Sequence, residues 1–234
     1  MPTHTPTPAA APVEAANSSL PSRPLHIAIA GNIGAGKTTL SSRLAQHFGW
    51  EVHFEDAENN PYLSDFYQDM LRWSFNLQVY FLNSRYRQVV DIQRGTRSTV
   101  QDRSIYEDAY IFAPNLYEMH LMAKRDYDNY LSLFELMQEQ VNPPDLVIYL
   151  RANLDTLRAH IRTRGRDYEN SIDMDYLRSL NERYNKWADS YTAGELLVID
   201  IDDIDYENNP DHLADILARV QAKLPAAAAL LTPA

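Results

Sequence analysis

Leu25-His26-Ile27-Ala28-Ile29-Ala30-Gly31-Asn32-Ile33-Gly34-Ala35-Gly36-Lys37-Thr38 decides the reading of this chain. A mostly apolar run leads straight into a glycine-rich stretch, and a helical pattern opens at Lys37. An apolar run of this kind bounded by turn residues predicts a strand buried on both faces. Gly31 to Thr38 satisfies G-x-x-x-x-G-K-[ST] between that strand and that helix. Such a loop, from Gly31, Asn32 and Ile33 through Gly34, Ala35 and Gly36, turns backbone N–H groups inward as an anion nest. The following helix adds its positive end. Lys37 is placed to reach terminal phosphates, Thr38 to hold Mg²⁺, and Thr39 to extend the phosphate-binding set. The chain has only 7 glycines, so three of them at 31, 34 and 36 mark a purpose-built loop. A nucleoside triphosphate is the expected ligand.

Working outward, short apolar runs alternate with longer helical patterns. Strands are expected at 25–30, 50–55, 99–102, 146–150 and 196–200. Helices are expected at about 37–48, 66–93, 115–141, 153–163, 173–191 and 210–223. Strand–helix alternation argues for an α/β fold with a five-stranded, mainly parallel sheet flanked by helices. Residues 1–24 are Pro, Ala, Thr and Ser with few large apolar side chains, and predict a disordered leader rather than a secretory or mitochondrial signal. Residues 224–234 predict a flexible Ala-rich tail. One folded domain, 25–223, remains.

Composition narrows the partners. Lys+Arg 21 against Asp+Glu 32 gives a net charge of −11, which lacks the basic footprint of a non-specific nucleic-acid binder. An anionic ligand must be drawn by a local basic site. No apolar run approaches the ~20 residues of a membrane-spanning helix. The sequence has no Cys, which excludes thiol chemistry and Cys-ligated metal and is compatible with a reducing cytoplasm. The histidines show no metal-ligand grouping.

The loop does not say what receives the phosphate. Asn185-Lys186-Trp187-Ala188-Asp189 has one residue too many for the guanine motif N-K-x-D. Leu196 to Asp200 imitates an apolar strand ending in acid, but reads as the last strand plus an acidic loop. Within 66–93, Tyr67, Gln78 and Arg85 are spaced about three and two helical turns apart and are expected on one face. Phenol, amide and guanidinium on one face could clamp a planar polar heterocycle; on spacing alone an amphipathic core helix explains them better.

Further segments complete a pattern: Glu55 followed by Asn60-Pro61-Tyr62-Leu63, then Tyr67, Trp73-Ser74-Phe75, Gln78-x-Tyr80 and Arg85. Asp102-Arg103-Ser104-Ile105-Tyr106-x-Asp108 and Arg164-Gly165-Arg166-Asp167-Tyr168-Glu169 follow. With the phosphate loop, in this order and spacing, the sequence resembles the deoxyribonucleoside kinase family from about residue 25 to 223. The resemblance implies a P-loop kinase fold with an arginine-rich lid. It also implies ATP as donor, Mg²⁺, a deoxynucleoside acceptor and a homodimer; charge, hydropathy and the lack of Cys add the expectation of a cytoplasmic protein with no nucleic-acid or membrane partner.

It implies roles as well. Glu55 would be the general base on the nucleoside 5′-hydroxyl, although without the resemblance it is one more acid beside Glu51, Asp56 and Glu58. Asp102 would act on Mg²⁺, and Arg103 on the 5′ end and the transferring phosphoryl; a surface ion pair is the plainer alternative. Gln78 would bind the base edge, and Arg85 with Asp108 would form an outer base-recognition pair. Phe112 would stack on the base or simply fill the core. Tyr67 and Glu169 would hold the sugar 3′-hydroxyl. Arg164 and Arg166, beside Arg158 and Arg162, would clamp phosphates. His160 stands where related kinases carry another arginine, a departure from the family's pattern on the donor side. The acidic loop 200–205 would shape the adenine pocket of ATP or be a solvated turn. Among acceptors, the pattern is most like bacterial purine deoxynucleoside kinases, with deoxyadenosine first, deoxyguanosine second and deoxycytidine third. A nucleoside monophosphate kinase, needing a further basic pocket from Arg72, Arg85 or Arg87, and a non-catalytic partner subunit are the alternatives.

Overall fold

The structure, a computed structural model, describes residues 23–57, 59–166, 169 and 172–224. The expected leader and tail lie outside these residues apart from Arg23, Pro24 and Leu224. So do Glu58 and the lid residues Asp167 and Tyr168.

Five strands, β1 His26–Gly31, β2 Glu51–His53, β3 Thr99–Asp102, β4 Leu146–Arg151 and β5 Glu195–Asp200, form one parallel sheet in the order β2-β3-β1-β4-β5. The chain leaves β1 toward β2 and β3 on one side and later crosses to β4 and β5 on the other. The loops at the carboxyl ends therefore part beside β1, where α/β sheets bind ligands. Every residue of β1 is buried, and its two faces feed different cores. Ile27 and Ile29 pack with Leu40 and Leu44 of α1 (Lys37–Phe48) and Ile216 and Val220 of the C-terminal helix. Ala28 and Ala30 face the other way, toward Val147, Tyr149, Leu180 and Tyr184. This is the period-2 alternation of a strand. The small alanines leave room for Tyr149 and Tyr184 to stack with centroids 5.8 Å apart.

The expected strands are all present, with β2 shorter than 50–55. It is an edge strand paired only with β3, and after His53 the chain turns off the sheet and carries Glu55 to its carboxyl end. Helix 66–93 is corrected: α2 (Leu63–Gln68) and α3 (Met70–Arg94) are separate helices. Asp69 divides them because its side chain accepts the Arg72 N–H at 3.0 Å and caps α3. Gln78 and Arg85 therefore share a face of α3, whereas Tyr67 reaches the site from α2. Segment 115–141 is corrected as well. The helical path starts earlier, as α4 (Ile105–Glu107), a π-helical turn Asp108–Phe112 and α5 (Ala113–Glu118), and resumes as α6 (Lys124–Gln138). The signal for the early start is a capping box, with Ser104 and Glu107 bonding one another's backbone. Helices α7 (Leu154–Arg164), α8 (Met174–Ser190) and α9 (Pro210–Lys223) complete the fold within a residue or two of expectation. No described helix is long and apolar enough to cross a membrane.

Candidate active site

One cavity of about 960 Å³ opens at the carboxyl ends of the strands. That is the upper end of the ~300–1,000 Å³ that holds a single small ligand. The phosphate loop lines one end through Ile33, Gly34, Gly36, Lys37, Thr38 and Thr39. Gly31, Asn32 and Ala35 lie behind it. Asn32 anchors the loop to α8 by donating to Leu177 O at 3.1 Å. Lys37 Nζ donates to Asn32 O at 3.1 Å. Burial, then the nearby Arg103 cation, lowers the Lys37 pKa to about 8. Among the described residues no group of three His, Cys, Asp or Glu could hold a metal. Thr38 Oγ1 does donate to Asp102 Oδ2 at 2.6 Å, and Asp102 Oδ1 is buried without a partner.

Two contacts tune the loop from outside. His160 Nδ1 is 2.9 Å from Gly34 O, so this lid-helix residue touches the loop backbone. The Tyr206 hydroxyl donates to Gly36 O at 2.9 Å. Gly36 has φ 82°, and a Cβ there would fall 2.2 Å from the Tyr206 oxygen. Gly36→Ala should therefore cost about 2 kcal/mol or more, from left-handed backbone strain and the displaced phenol. The expected readouts are a Tm lower by several degrees and weaker ATP binding; an unchanged Tm would show that neither the left-handed backbone nor Tyr206 demands glycine at this position.

The opposite end of the cavity is built by β2, α2, α3 and the π-turn. Arg85 is 3 % exposed and bridges two carboxylates. Its Nη1 donates to Asp108 Oδ2 at 2.9 Å, and its Nη2 pairs with Glu55 Oε1. Arg103 Nε lies 3.3 Å from the same Glu55 oxygen. Burial pushes Glu55 up, but the guanidiniums of Arg103 and Arg85 outweigh it and hold the carboxyl at about 2. Asp108 feels the same two guanidiniums, but burial outweighs them, aided by the neighbouring carboxylates of Glu55 and Glu107, and raises it to about 7. Gln78 is buried with its Oε1 unpartnered, and the residue lines the cavity. Phe112 lines the cavity under the Arg103 guanidinium, 4.5 Å from its ring centroid. Tyr67 lines it too. Arg72 and Arg87, considered for an acceptor phosphate, are exposed and do not line it.

The lid arginines and the sugar-binding candidate meet each other. Arg164 Nε donates to Glu169 Oε2 at 3.0 Å, and Arg166 Nη1 is 3.8 Å from Glu169 Oε1. All three line the cavity; Arg158 and Arg162 do not. The acidic loop also lines it, through Asp202, Asp203 and Asp205. Sequence reasoning missed Tyr206 and Tyr176 of the lining, which carry no motif signal, and Glu107, which the Ser104–Glu107 capping box could have revealed.

The comparisons with known proteins fit this geometry. The deoxynucleoside kinase family model matches residues 27–225. The chain is 38% identical over 196 residues to the deoxyadenosine/deoxycytidine kinase of Bacillus subtilis, covering 83% of this chain and 90% of that protein. It is 37% identical to the deoxyadenosine kinase of Lactobacillus acidophilus, covering 85% of this chain and 95% of that one. The structure of deoxyadenosine kinase from M. mycoides with bound dATP superposes with a TM-score of 0.75 at 28% identity, over 84% of this chain and 98% of that one. A P-loop at one end of the cavity, a guanidinium-bridged carboxylate pair at the other, and a family match across the described fold agree: this chain belongs to the deoxynucleoside kinase family.

Proposed function

We propose that this kinase moves the γ-phosphoryl group of ATP to the 5′-hydroxyl of a purine 2′-deoxyribonucleoside. Deoxyadenosine ranks first, deoxyguanosine second and deoxycytidine third, and residues 25–223 carry the whole activity. The observation that carries this reading is Arg85, which ties Asp108 and Glu55 together at the far end of the phosphate-loop cavity. One guanidinium thereby links a base-selecting carboxylate to the carboxylate beside the reacting centre.

In this reading the loop and Lys37 hold the donor phosphates, and the acidic loop faces its adenine. Glu55 takes the 5′-hydroxyl proton as the oxygen attacks. Arg103 stabilises charge on the transferring group. Gln78 and Asp108 read the base edge, Phe112 stacks on it, and Tyr67 and Glu169 hold the sugar. Glu169 pairs with Arg164, so sugar binding and lid position are joined; Arg164 and Arg166 close over the phosphates. Mg²⁺ fits here: the hydroxyl of Thr38 and the orphaned oxygen of Asp102 are the hard oxygen ligands it prefers, with phosphates completing the shell. When bound it would neutralise phosphate charge. A cytoplasmic homodimer completes the proposal, on the family's precedent.

The test is a panel of deoxyadenosine, deoxyguanosine, deoxycytidine, thymidine and their monophosphates with ATP and Mg²⁺. A purine deoxynucleoside as best acceptor supports the reading. A pyrimidine as best overturns the assignment of Arg85 and Asp108, and turnover of monophosphates alone overturns the acceptor class. Changing Arg85→Met and Asp108→Asn together should shift the ratio of kcat/KM between the two best nucleosides by about tenfold or more, since unpaired buried polar groups discriminate strongly. The ratio is the readout because Arg85 also touches Glu55; an unchanged ratio removes the pair from base selection.

A further inference from the structure

Glu107 has no exposed surface and does not line the cavity, yet three donors converge on its carboxylate. Oε2 accepts the Ser104 N–H at 2.8 Å. Oε1 accepts the Gly31 N–H at 3.3 Å and the Tyr184 hydroxyl at 2.8 Å. The Tyr184 oxygen in turn accepts from Arg103 Nη1 at 3.0 Å. Gly31 opens the phosphate loop. Ser104 follows Arg103, whose φ of 73° lies in the left-handed region, a conformation that costs a non-glycine residue about 1–2 kcal/mol.

A capping box does not require this arrangement. Oε2 alone closes the box on Ser104, and a glutamine would do so at a lower desolvation cost. The second oxygen turns instead toward β1 and toward Tyr184, which arrives from α8. Three donors need a group that only accepts, and an ionised carboxylate is that group. A glutamine must turn its amide N–H toward at least one donor. Burial keeps the Tyr184 phenol neutral, so its single proton goes to Glu107 and its lone pair to Arg103. The Tyr184 ring is fixed by its stack on Tyr149 and its edge contact with Phe112.

We propose that Glu107 is a positioning residue for phosphoryl transfer: it locks the Arg103 backbone through Ser104, locks the Arg103 guanidinium through Tyr184, and ties both to the start of the phosphate loop at Gly31. The acceptor-side arginine and the donor cradle are thereby held in register by one buried carboxylate. The inference rests on the reading of Arg103 as the arginine at the reacting centre.

The test is a double-mutant cycle between Tyr184 and Arg103, read in kcat beside the single variant Glu107→Gln. Tyr184→Phe, which keeps the ring, should lower kcat by about tenfold and Glu107→Gln by about 10²-fold, as small misplacements at a reacting centre do. KM for ATP and for the nucleoside should stay within about threefold, because ground-state binding is untouched. In an Arg103→Ala background, adding Tyr184→Phe should change kcat by less than about twofold, since the tie then has nothing to hold. If Arg103→Ala abolishes turnover but Tyr184→Phe leaves kcat intact, the inference is overturned and the role of Arg103 stands. Losses that multiply in the double variant also overturn it, by showing that Tyr184 acts only on the fold. An Arg103→Ala enzyme with full activity instead overturns the reading of Arg103. Should Glu107→Gln fail to fold, the Tyr184 and Arg103 cycle decides alone.

Discussion

Glu55→Gln is expected to lower kcat by about 10²–10⁴-fold, the usual yield of a general base, while the nucleoside still binds. The geometry explains both halves. Glu55 sits between two guanidiniums, with Arg85 on one oxygen and Arg103 Nε 3.3 Å from the same atom. Those cations, against the upward push of burial, hold its carboxyl at about 2, so it is ionised across any working pH. A base this weak cannot remove a proton from a resting alcohol. It can accept one late, when the oxygen has begun to bond phosphorus and has become acidic. A loose phosphoryl-transfer transition state asks for nothing earlier. Glutamine keeps the shape and can still accept a hydrogen bond, but it cannot take the proton. Glu55→Asp should recover part of the rate, since the carboxylate survives with a shorter reach. Steady-state kcat beside a direct nucleoside binding titration separates the two effects. A kcat within threefold of the parent would remove Glu55 as base. In the parent enzyme, kcat/KM should show no acid limb from Glu55 between pH 5 and pH 8, because its pKa in the free protein lies well below that range.

The sequence carried much of this site because its chemistry is written in local spacing. Gly31 to Thr38 needs only eight consecutive residues and the strand before them. Glu55 and Asp102 were legible only through the resemblance, because on spacing alone Glu55 is one acid among Glu51, Asp56 and Glu58, and Asp102 beside Arg103 reads as a surface ion pair. What failed was continuity across unmarked breaks. Asp69 looks like any polar residue in an amphipathic stretch, and only its bond to the Arg72 N–H shows that it ends one helix and caps the next. Tyr67 still reaches the cavity, but from α2, so the shared-face argument was mistaken in geometry while correct in destination. The π-turn at Asp108–Phe112 was invisible for a deeper reason: a widened helical turn has no composition of its own. Links across long separations, such as Tyr206 to Gly36 or Tyr184 to Glu107, depend on a tertiary arrangement that no spacing in a single chain encodes.

Lys37→Met carries the other large effect. Lys37 is 7 % exposed, and its ammonium is the cation nearest the phosphate loop, bonded to Asn32 O. Methionine preserves most of the apolar stem and removes the charge. Loss of one preorganised donor at developing charge costs about 10²–10³-fold in kcat, and weaker ATP binding adds to the fall in kcat/KM. The parent enzyme offers an independent check through pH. Burial first, and Arg103 second, lower Lys37 to about 8 in the free protein. The group is a cation below that value and neutral above it. As pH rises through 8, the free enzyme loses the charge that recruits phosphate, and kcat/KM for ATP should fall. Bound ATP returns negative charge to the site and favours the ammonium, so kcat at saturating ATP should hold to higher pH than kcat/KM does. In Lys37→Met the basic limb should disappear from kcat/KM together with most of the activity. A variant that kept the limb would assign it to another group, with Asp108, raised by burial to about 7, as the next to titrate. A variant that kept the activity would mean that the loop N–H groups and Arg103 suffice to hold the triphosphate.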